Sequence, residues 1–402
     1  MAEKLGIALV GCGFMGRRHI LGYASLHKAG MLDAKIVALM DINGEVAEKV
    51  AVEAEQLLGH KPKVYTSLDA LLADSEVQAI DIVTEPKTHH NIANTAMNAG
   101  RHVLCEKPLA LTVKTGMSMV DCAKKNGVVL ATAENYRRGG QNRLAKAVID
   151  SGILGKIHLM TEFWAGGDDK VIISKWRHMK NTGAIGMDMS IHYADIIEYM
   201  MGEVEHVAGR GIIAEPIRYA KDGSDPVIPD GEDALFATMR TKAGADVQFT
   251  YLPSGPGKHY RMRVVHGTNG SVEVPGDRSD GDIFVHLEGR TLKNEEIVKE
   301  LGSKFSLSAV TKAVLGPDGT GGKGAAWADV DSGYLAVEMH DFIEAVLTKR
   351  PPEVDGMGGM RALAVVLAIL ESGVTGKTIS VDEILAHTVH SYQDSIDAEL
   401  EK

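Results

Sequence analysis

Apolar and polar positions follow two different rhythms along this chain. In the first third, short apolar runs alternate with stretches of helical spacing. Leu5–Val10 runs into a glycine, and Arg17–Lys28 puts Ile20, Leu21, Ala24 and Leu26 at helical intervals before Gly30. Lys35–Met40 reads as a second strand and Glu45–Leu58 as a second amphipathic helix. The alternation continues through Lys63–Tyr65, Leu68–Ala73 behind Ser67, Ala79–Val83, His90–Ala99, His102–Cys105, Val113–Lys125 and Val128–Ala131. Strand and helix in turn predict a doubly wound, mostly parallel sheet.

Past about residue 135 the rhythm changes. The pattern predicts helices at Asn142–Ile149 and Ala184–Met200 and a strand at Ile157–Trp164. Strand-type runs then follow with little helix between them: Val204–Ala214, Ala234–Arg240, Asp246–Tyr251, Tyr260–His266, Val272–Val274 and Ile283–Leu287. Helical spacing returns at Tyr334–Leu347, Met357–Leu370 and Val381–His390. Such a succession predicts an α+β second domain. The expected division is therefore 1–135, an α/β domain, and 136–402, an α+β domain. Two Gly/Pro-rich segments, Pro253–Lys258 and Gly316–Lys323, read as surface loops, with a lid over a pocket as the alternative.

Composition narrows the function classes. A net charge of −11 over 402 residues carries no basic footprint for nucleic acid and suits a small-molecule partner. Three cysteines form no disulfide framework, the N-terminus lacks signal-peptide architecture, and the apolar stretch Ala362–Leu370 is short for a bilayer span. A cytoplasmic protein without membrane contact is expected.

The first candidate chemistry is Gly11-Cys12-Gly13-Phe14-Met15-Gly16, directly after a strand and before a helix. In that context G-x-G-x-x-G is a dinucleotide-binding fingerprint. Gly11 serves the tight turn, Gly13 the close approach of a pyrophosphate, and Gly16 the packing of helix on sheet, while the helix N-terminus offers N–H donors. Asp41, at the end of the next strand, supplies a carboxylate for ribose hydroxyls and repels a 2′-phosphate. Ile42 and Asn43 provide no arginine to reverse that preference, so NAD is favoured over NADP.

With these come "DIVTEPKTHH", "GRHVLCEKPLA" and "GAIGMDMSIHYADII", in an order that resembles the Gfo/Idh/MocA oxidoreductases, the glucose–fructose oxidoreductase and inositol dehydrogenase type. The resemblance is specific from about residue 5 to 200 and looser near the end. It implies an N-terminal Rossmann domain, a C-terminal domain on an open, mostly antiparallel sheet used for substrate binding and oligomerisation, and a homodimer or homotetramer. By the same resemblance Lys107 stands beside the nicotinamide and the substrate hydroxyl; read from the residues themselves, Glu106 is expected to help anchor it and Pro108 to fix the backbone, a cis bond being one way to do so. Asp188 and His192 form the D-x-x-x-H pair, and Thr84, Pro86 and His90 pass the nicotinamide ring. Glu85, the interrupted glycine run Thr182-Gly183-Ala184 and Ser190 depart from the usual pattern and leave the substrate open.

Elementary chemistry agrees with these roles. Asp188 and His192 are four apart in a helical stretch and share one face. An imidazole near neutrality can take a hydroxyl proton as hydride leaves the adjacent carbon. Tyr136, Arg137, Trp164, Trp176 and Arg177 are candidate substrate walls, with Glu162 beside them; side-chain packing is the plainer role for each. His89, His90, His192 and Asp188 are metal-ligand types, but no HxH or HxxxH spacing supports a metal, and none is expected. The expected activity is hydride transfer between a secondary hydroxyl of a sugar, glycoside or cyclic polyol and NAD. Two alternatives remain open: a tightly held NAD driving elimination or glycoside cleavage, and an NAD-binding sensor or scaffold without catalysis.

Overall fold

The computed structural model describes residues 4–401. The chain begins with β1 (Leu5–Val10), α1 (Phe14–Lys28), β2 (Ala34–Met40), α2 (Gly44–Leu58), β3 (Lys63–Tyr65), α3 (Leu68–Leu72), β4 (Ala79–Ile82), α4 (Pro86–Asn98), β5 (His102–Glu106), α5 (Val113–Asn126) and β6 (Leu130–Ala133). It continues with α6 (Gly140–Asp150), β7 (Ile157–Ala165), α7 (Ile185–Met201), β8 (Val204–Ile212), β9 (Ala234–Thr241), β10 (Asp246–Leu252), β11 (Tyr260–Gly267), β12 (Gly270–Val274), β13 (Phe284–Leu287), β14 (Arg290–Lys293) and α8 (Glu295–Leu301). The last elements are α9 (Ala309–Leu315), α10 (Trp327–Thr348), α11 (Gly356–Thr375), β15 (Ile379–Ser380), α12 (Val381–Leu385) and α13 (Asp394–Leu400).

Two compact units result. Among the described residues the first comprises 4–110, 115–138 and 308–359; the second comprises 111–114, 139–307 and 360–401. The first holds a six-stranded parallel sheet in the order β3-β2-β1-β4-β5-β6, the doubly wound arrangement expected from the alternation. Its strands are buried on both faces, which is why they read as apolar runs. Asn43 caps α2 by accepting from the Glu45 and Val46 amides, and Gly59 closes that helix in the left-handed conformation.

A single cut near residue 135 separates the two sheets, but Ser308–Gly359 returns to the first unit. The reason is helix packing: α10 lies against α1, where a Cβ on Gly22 would come within 2.9 Å of Met339 Sδ. Ile20, Tyr23 and Leu26 of α1 share a core with Leu335, Met339 and Phe342 of α10. Each such side chain contributes about 1.5–3 kcal/mol on full burial. The helix α10 also starts earlier than its periodicity suggests. "WADVDSG" looks polar, yet Val330, Asp331 and Gly333 are buried.

The second unit contains a nine-stranded sheet, β14-β13-β12-β11-β7-β10-β9-β8-β15, antiparallel except for the β7–β10 pair. It is the open, mostly antiparallel sheet anticipated from the run of strands. The last predicted helix is shorter than its spacing implied: α12 stops at Leu385, and His387 adopts a positive φ of 54°. By length and composition alone α11 could cross a membrane, which the shorter apolar stretch Ala362–Leu370 did not suggest. Some 72% of its apolar window is buried inside the protein, as in the core helix of a soluble fold.

Candidate functional site

The glycine loop is built as its sequence requires. Gly11 has φ +100°, and a Cβ there would approach Val83 O at 2.9 Å. A Cβ on Gly16 would lie 2.0 Å from the Gly11 carbonyl oxygen, so only glycine lets α1 start this close to β1. Gly13 is different: nothing lies within 4 Å of its would-be Cβ, leaving clear space over the N-terminus of α1. Gly13 is also the N-cap and offers no side chain to the first amides of the helix. Open space above unsatisfied N–H donors fits a pyrophosphate.

Asp41 closes the loop from the side. Its Oδ2 accepts from the Cys12 amide at 2.8 Å and its Oδ1 from the Asn43 amide at 2.9 Å. The carboxylate is thereby oriented at the carboxyl end of β2, with Ile42 beside it 89% exposed. These groups fit the ribose end of NAD, and no cation adjoins them in sequence to receive a 2′-phosphate. Asp41→Ser combined with Ile42→Arg is expected to raise the NADP-to-NAD ratio of kcat/KM by about tenfold or more. Steady-state rates with both nucleotides check this, and an unchanged ratio would show that selectivity lies elsewhere.

The segment after β4 starts α4 with Pro86 at its first position and Glu85 as N-cap. Thr84 Oγ1 lies 2.7 Å from Thr88 Oγ1, and His90 sits half-buried on α4. Neighbouring His89 is fully buried, its ring nitrogens 3.0 Å from Pro108 O and 3.2 Å from Thr84 O. Burial lowers its pKa, so the ring is neutral and donates to one carbonyl at a time. His89 therefore ties α4 to the turn that carries Lys107, a structural role in place of the metal role weighed above. Lys107-Pro108 is a cis peptide.

Glu106, at the end of β5, is buried, and His19 Nε2 of α1 stands 3.4 Å from its Oε1. The same imidazole places Nδ1 2.9 Å from Asp81 Oδ2, which also accepts from Tyr23 OH at 2.9 Å. After β6, Glu134 is buried and Oε1 accepts from the Tyr136 amide at 2.9 Å. Burial drives its pKa up to about 7, against the Tyr136 amide and the nearby charges of Lys107 and Arg137, which pull it down. Tyr136 is buried and Arg137 half-buried.

The raised value has a consequence for stability. The folded chain holds the Glu134 proton more tightly than the unfolded chain, so this stabilisation is complete below about pH 4.5 and lost as pH rises through about 7. Glu134→Gln should flatten that part of the profile: its melting temperature should fall less than the parent's between about pH 5 and 7.5. Parallel curves for the two proteins in thermal melts would refute the assignment.

In the second unit, Asp188 and His192 are both buried on α7, one turn apart and on one face. Asp188 Oδ2 accepts from Arg177 Nε at 3.1 Å, and Arg177 lies 4.2 Å from the Trp176 ring centroid. A 3₁₀ turn, Lys175–His178, carries both Trp176 and Arg177. The approach to that turn includes Ile173 at φ +61°, an unfavourable conformation for a β-branched residue. It is tethered by the fully buried Arg218, which donates to Asp168 O at 3.2 Å and Lys170 O at 2.9 Å and pairs with Asp233 at 2.8 Å.

Trp164 stacks on Tyr251 at 5.0 Å beneath Arg261, and Glu162 is paired with Arg263 at 2.6 Å. Both therefore take part in contacts within the second unit's sheet. Groups of three or more His, Cys, Asp or Glu placed to hold a metal are absent among the described residues. Sequence reading passed over His19, Asp81, Glu134 and the Arg218–Asp233 pair. Asp81 carried a usable signal, a charge in the middle of the apolar strand Ala79-Ile80-Asp81-Ile82.

A parallel doubly wound unit with this glycine cradle, followed by an open antiparallel unit, defines an NAD-binding oxidoreductase. The chain belongs to the Gfo/Idh/MocA family: the family's NAD-binding Rossmann-fold domain matches residues 5–134, and its C-terminal alpha/beta domain matches residues 146–381. Levoglucosan dehydrogenase of Pseudarthrobacter phenanthrenivorans is 26% identical, covering 96% of this chain and 100% of its own. Myo-inositol 2-dehydrogenase of Thermotoga maritima is also 26% identical, over 94% and 99%. Among solved structures, a levoglucosan dehydrogenase in complex with NADH and L-sorbose shares the fold, with a TM-score of 0.77 at 24% identity, over 95% of this chain and 100% of that one.

Proposed function

We propose that the protein is an NAD-dependent dehydrogenase acting on a secondary hydroxyl of a sugar, glycoside or cyclic polyol. The observation that carries this reading is the Asp188–His192 pair, buried one turn apart on α7 with Arg177 holding Asp188. Such an arrangement suits a base that takes a hydroxyl proton in a desolvated setting, with an oriented carboxylate for substrate hydroxyls. The curated relatives named above, a levoglucosan and a myo-inositol dehydrogenase, support the substrate class.

Gly11, Gly13, Phe14, Met15 and Gly16, with Asp41, Thr84, Pro86, His90 and Glu106, hold the dinucleotide. Bound in its oxidised form, NAD supplies the acceptor for the hydride released from the alcohol carbon. His192 takes the hydroxyl proton on a ring nitrogen. Lys107 Nζ donates a hydrogen bond to the same oxygen and stabilises the charge that develops there. Asp188 binds a neighbouring hydroxyl or orients the imidazole, and Trp176, Arg177, Tyr136, Arg137 and Trp164 are candidate walls.

The protein is proposed to work in the cytoplasm as a homo-oligomer. Tyr260 and Met262 of β11, 52% and 48% exposed, support self-association through the open sheet face. The test is NAD reduction followed at the nicotinamide absorbance across anhydrosugars, inositols, free sugars and glycosides. Saturable NADH formation with one group supports the proposal. NADH binding without turnover on every member would favour a sensor.

A further inference from the structure

Arg177 and Asp188 meet from two different stretches of the second unit, and a ring of contacts joins those stretches on the far side. Asp188 follows Gly186 by two residues, and the Gly186 amide donates to Glu232 O at 3.0 Å. A Cβ on Gly186 would lie 2.5 Å from that oxygen, so the first turn of α7 is pressed against the lead-in to β9. The next residue, Asp233, is fully buried; Oδ1 accepts from the Ala214 amide at 2.6 Å and Oδ2 from the Glu215 amide at 3.2 Å. Arg218, equally buried, donates from Nη2 to Asp233 Oδ2 at 2.8 Å and to Pro253 O at 3.4 Å. From Nη1 it reaches Asp168 O and Lys170 O, on the strap that leads to the Trp176–Arg177 turn. Backbone bonds double this hold: Val171 donates to Tyr219 O at 2.8 Å, and Tyr219 to Asp169 O at 2.9 Å. The Gly/Pro-rich segment 253–258 is fastened to the same strap, with the Gly167 amide 3.1 Å from Gly255 O. At the other end, the Ile172 amide donates to His178 Nε2 at 3.0 Å. Burial and the charge of Arg218 push His178 down to about 4, so the ring is a neutral acceptor. Arg177 then donates to Ser174 Oγ at 2.9 Å and to Asp188, which closes the ring.

We propose that Arg218 is a positioning residue for substrate binding: it fixes the strap that carries Arg177 relative to the α7 turn that carries Asp188. The proposal rests on the reading of Asp188 as a substrate-binding carboxylate given above. None of the Arg218 hydrogen bonds goes to Arg177 or Asp188, so its influence passes through the backbone at 168–176 and 232–186. Ile173, at φ +61°, lies in the middle of that strap, and such a conformation persists only where the surroundings over-determine it. The planar guanidinium is suited to the task, because its donors form a rigid fork that binds several acceptors at fixed angles. A turn fixed in advance binds a polyol without the cost of ordering it at that moment. Without the fork, Asp168 O and Lys170 O lose their donor, the strap loosens, and Arg177 is no longer held against Asp188.

The test compares Arg218→Gln, Arg177→Gln and the double variant in the full-length protein. Amide hydrogen exchange across residues 171–179 reads the strap itself, whether or not the substrate panel yields turnover. Arg218→Gln is expected to speed that exchange by about tenfold or more, the mark of easier local opening. With the substrate that supports NADH formation, KM should rise roughly tenfold, while kcat and NADH affinity change less than about threefold. In the double variant KM should stay within about twofold of the worse single variant, because both changes act on one contact. A merely structural role predicts a lower melting temperature with KM unchanged below it, or losses that multiply. The proposal is overturned if exchange across 171–179 matches the parent, if KM is unchanged, if NADH affinity falls in step, or if the two losses multiply. Should Arg218→Gln fail to fold, Arg218→Lys replaces it in the same cycle; it keeps a cation opposite Asp233 but lacks the fork. Asp188→Ala, run alongside, separates the readings. Full kcat/KM in Asp188→Ala overturns the substrate-site reading and this proposal with it; a defective Asp188→Ala beside a normal Arg218→Gln overturns this proposal alone.

Discussion

Lys107→Ala should abolish most turnover, lowering kcat by roughly 10²- to 10⁴-fold, while NADH still binds. The lysine follows Glu106 at the carboxyl end of β5, the end of an open parallel sheet where ligands bind. Its turn is gripped from two sides, by His19 on Glu106 and by His89 at Pro108 O. Such support holds an amine in place at a point separate from the glycine loop and Asp41. In the proposed role, truncating the side chain removes the hydrogen bond to the reacting oxygen and leaves the glycine loop and Asp41 unaltered. His192→Ala should show the same separation of kcat from NADH affinity. Stopped-flow turnover together with fluorescence titration measures both quantities, and two fully active variants would remove Lys107 and His192 from the mechanism.

The second large effect belongs to the loop. Gly16→Val should weaken NADH binding by about tenfold or more, the equivalent of ~1.4 kcal/mol, and destabilise the first unit by about 1–3 kcal/mol. A Cβ at this position would lie 2.0 Å from Gly11 O, so the start of α1 must move away from β1 and the amide cradle opens. Gly13→Ala provides the contrast. Its Cβ would meet nothing within 4 Å, so the melting temperature should hold while NADH affinity drops, because the methyl occupies space reserved for the ligand. Equal losses of stability in both variants would mean that Gly13 serves packing rather than ligand clearance.

Much of this was legible from residue order. Periodicity located the parallel unit, and the change of rhythm near residue 135 located the second sheet, because both signals are local. The glycine loop and Asp41 were readable for the same reason: a turn, an N-terminus and a strand end lie within one βαβ segment. The return of residues 308–359 to the first unit was not readable, since it depends on how α10 meets α1 at Gly22. Nor was the contact of His19 with Glu106, since His19 lies three residues beyond the fingerprint in a helix whose spacing marks only its apolar positions.

By itself, then, the sequence determined the two sheet types, the nucleotide cradle and the residue types available for moving a proton. Those features follow from short-range sterics and from the 2.0- and 3.6-residue periods of strand and helix. Tertiary structure alone decided which charges face one another. It set His19 between Asp81 and Glu106, left the Glu338 carboxyl in the interior with no hydrogen-bond partner, and tethered the Trp176–Arg177 turn through Arg218 and Asp233. Pairing of buried charges depends on distance through space, in a medium where each uncompensated charge is costly, and neighbours in space are not neighbours in the chain.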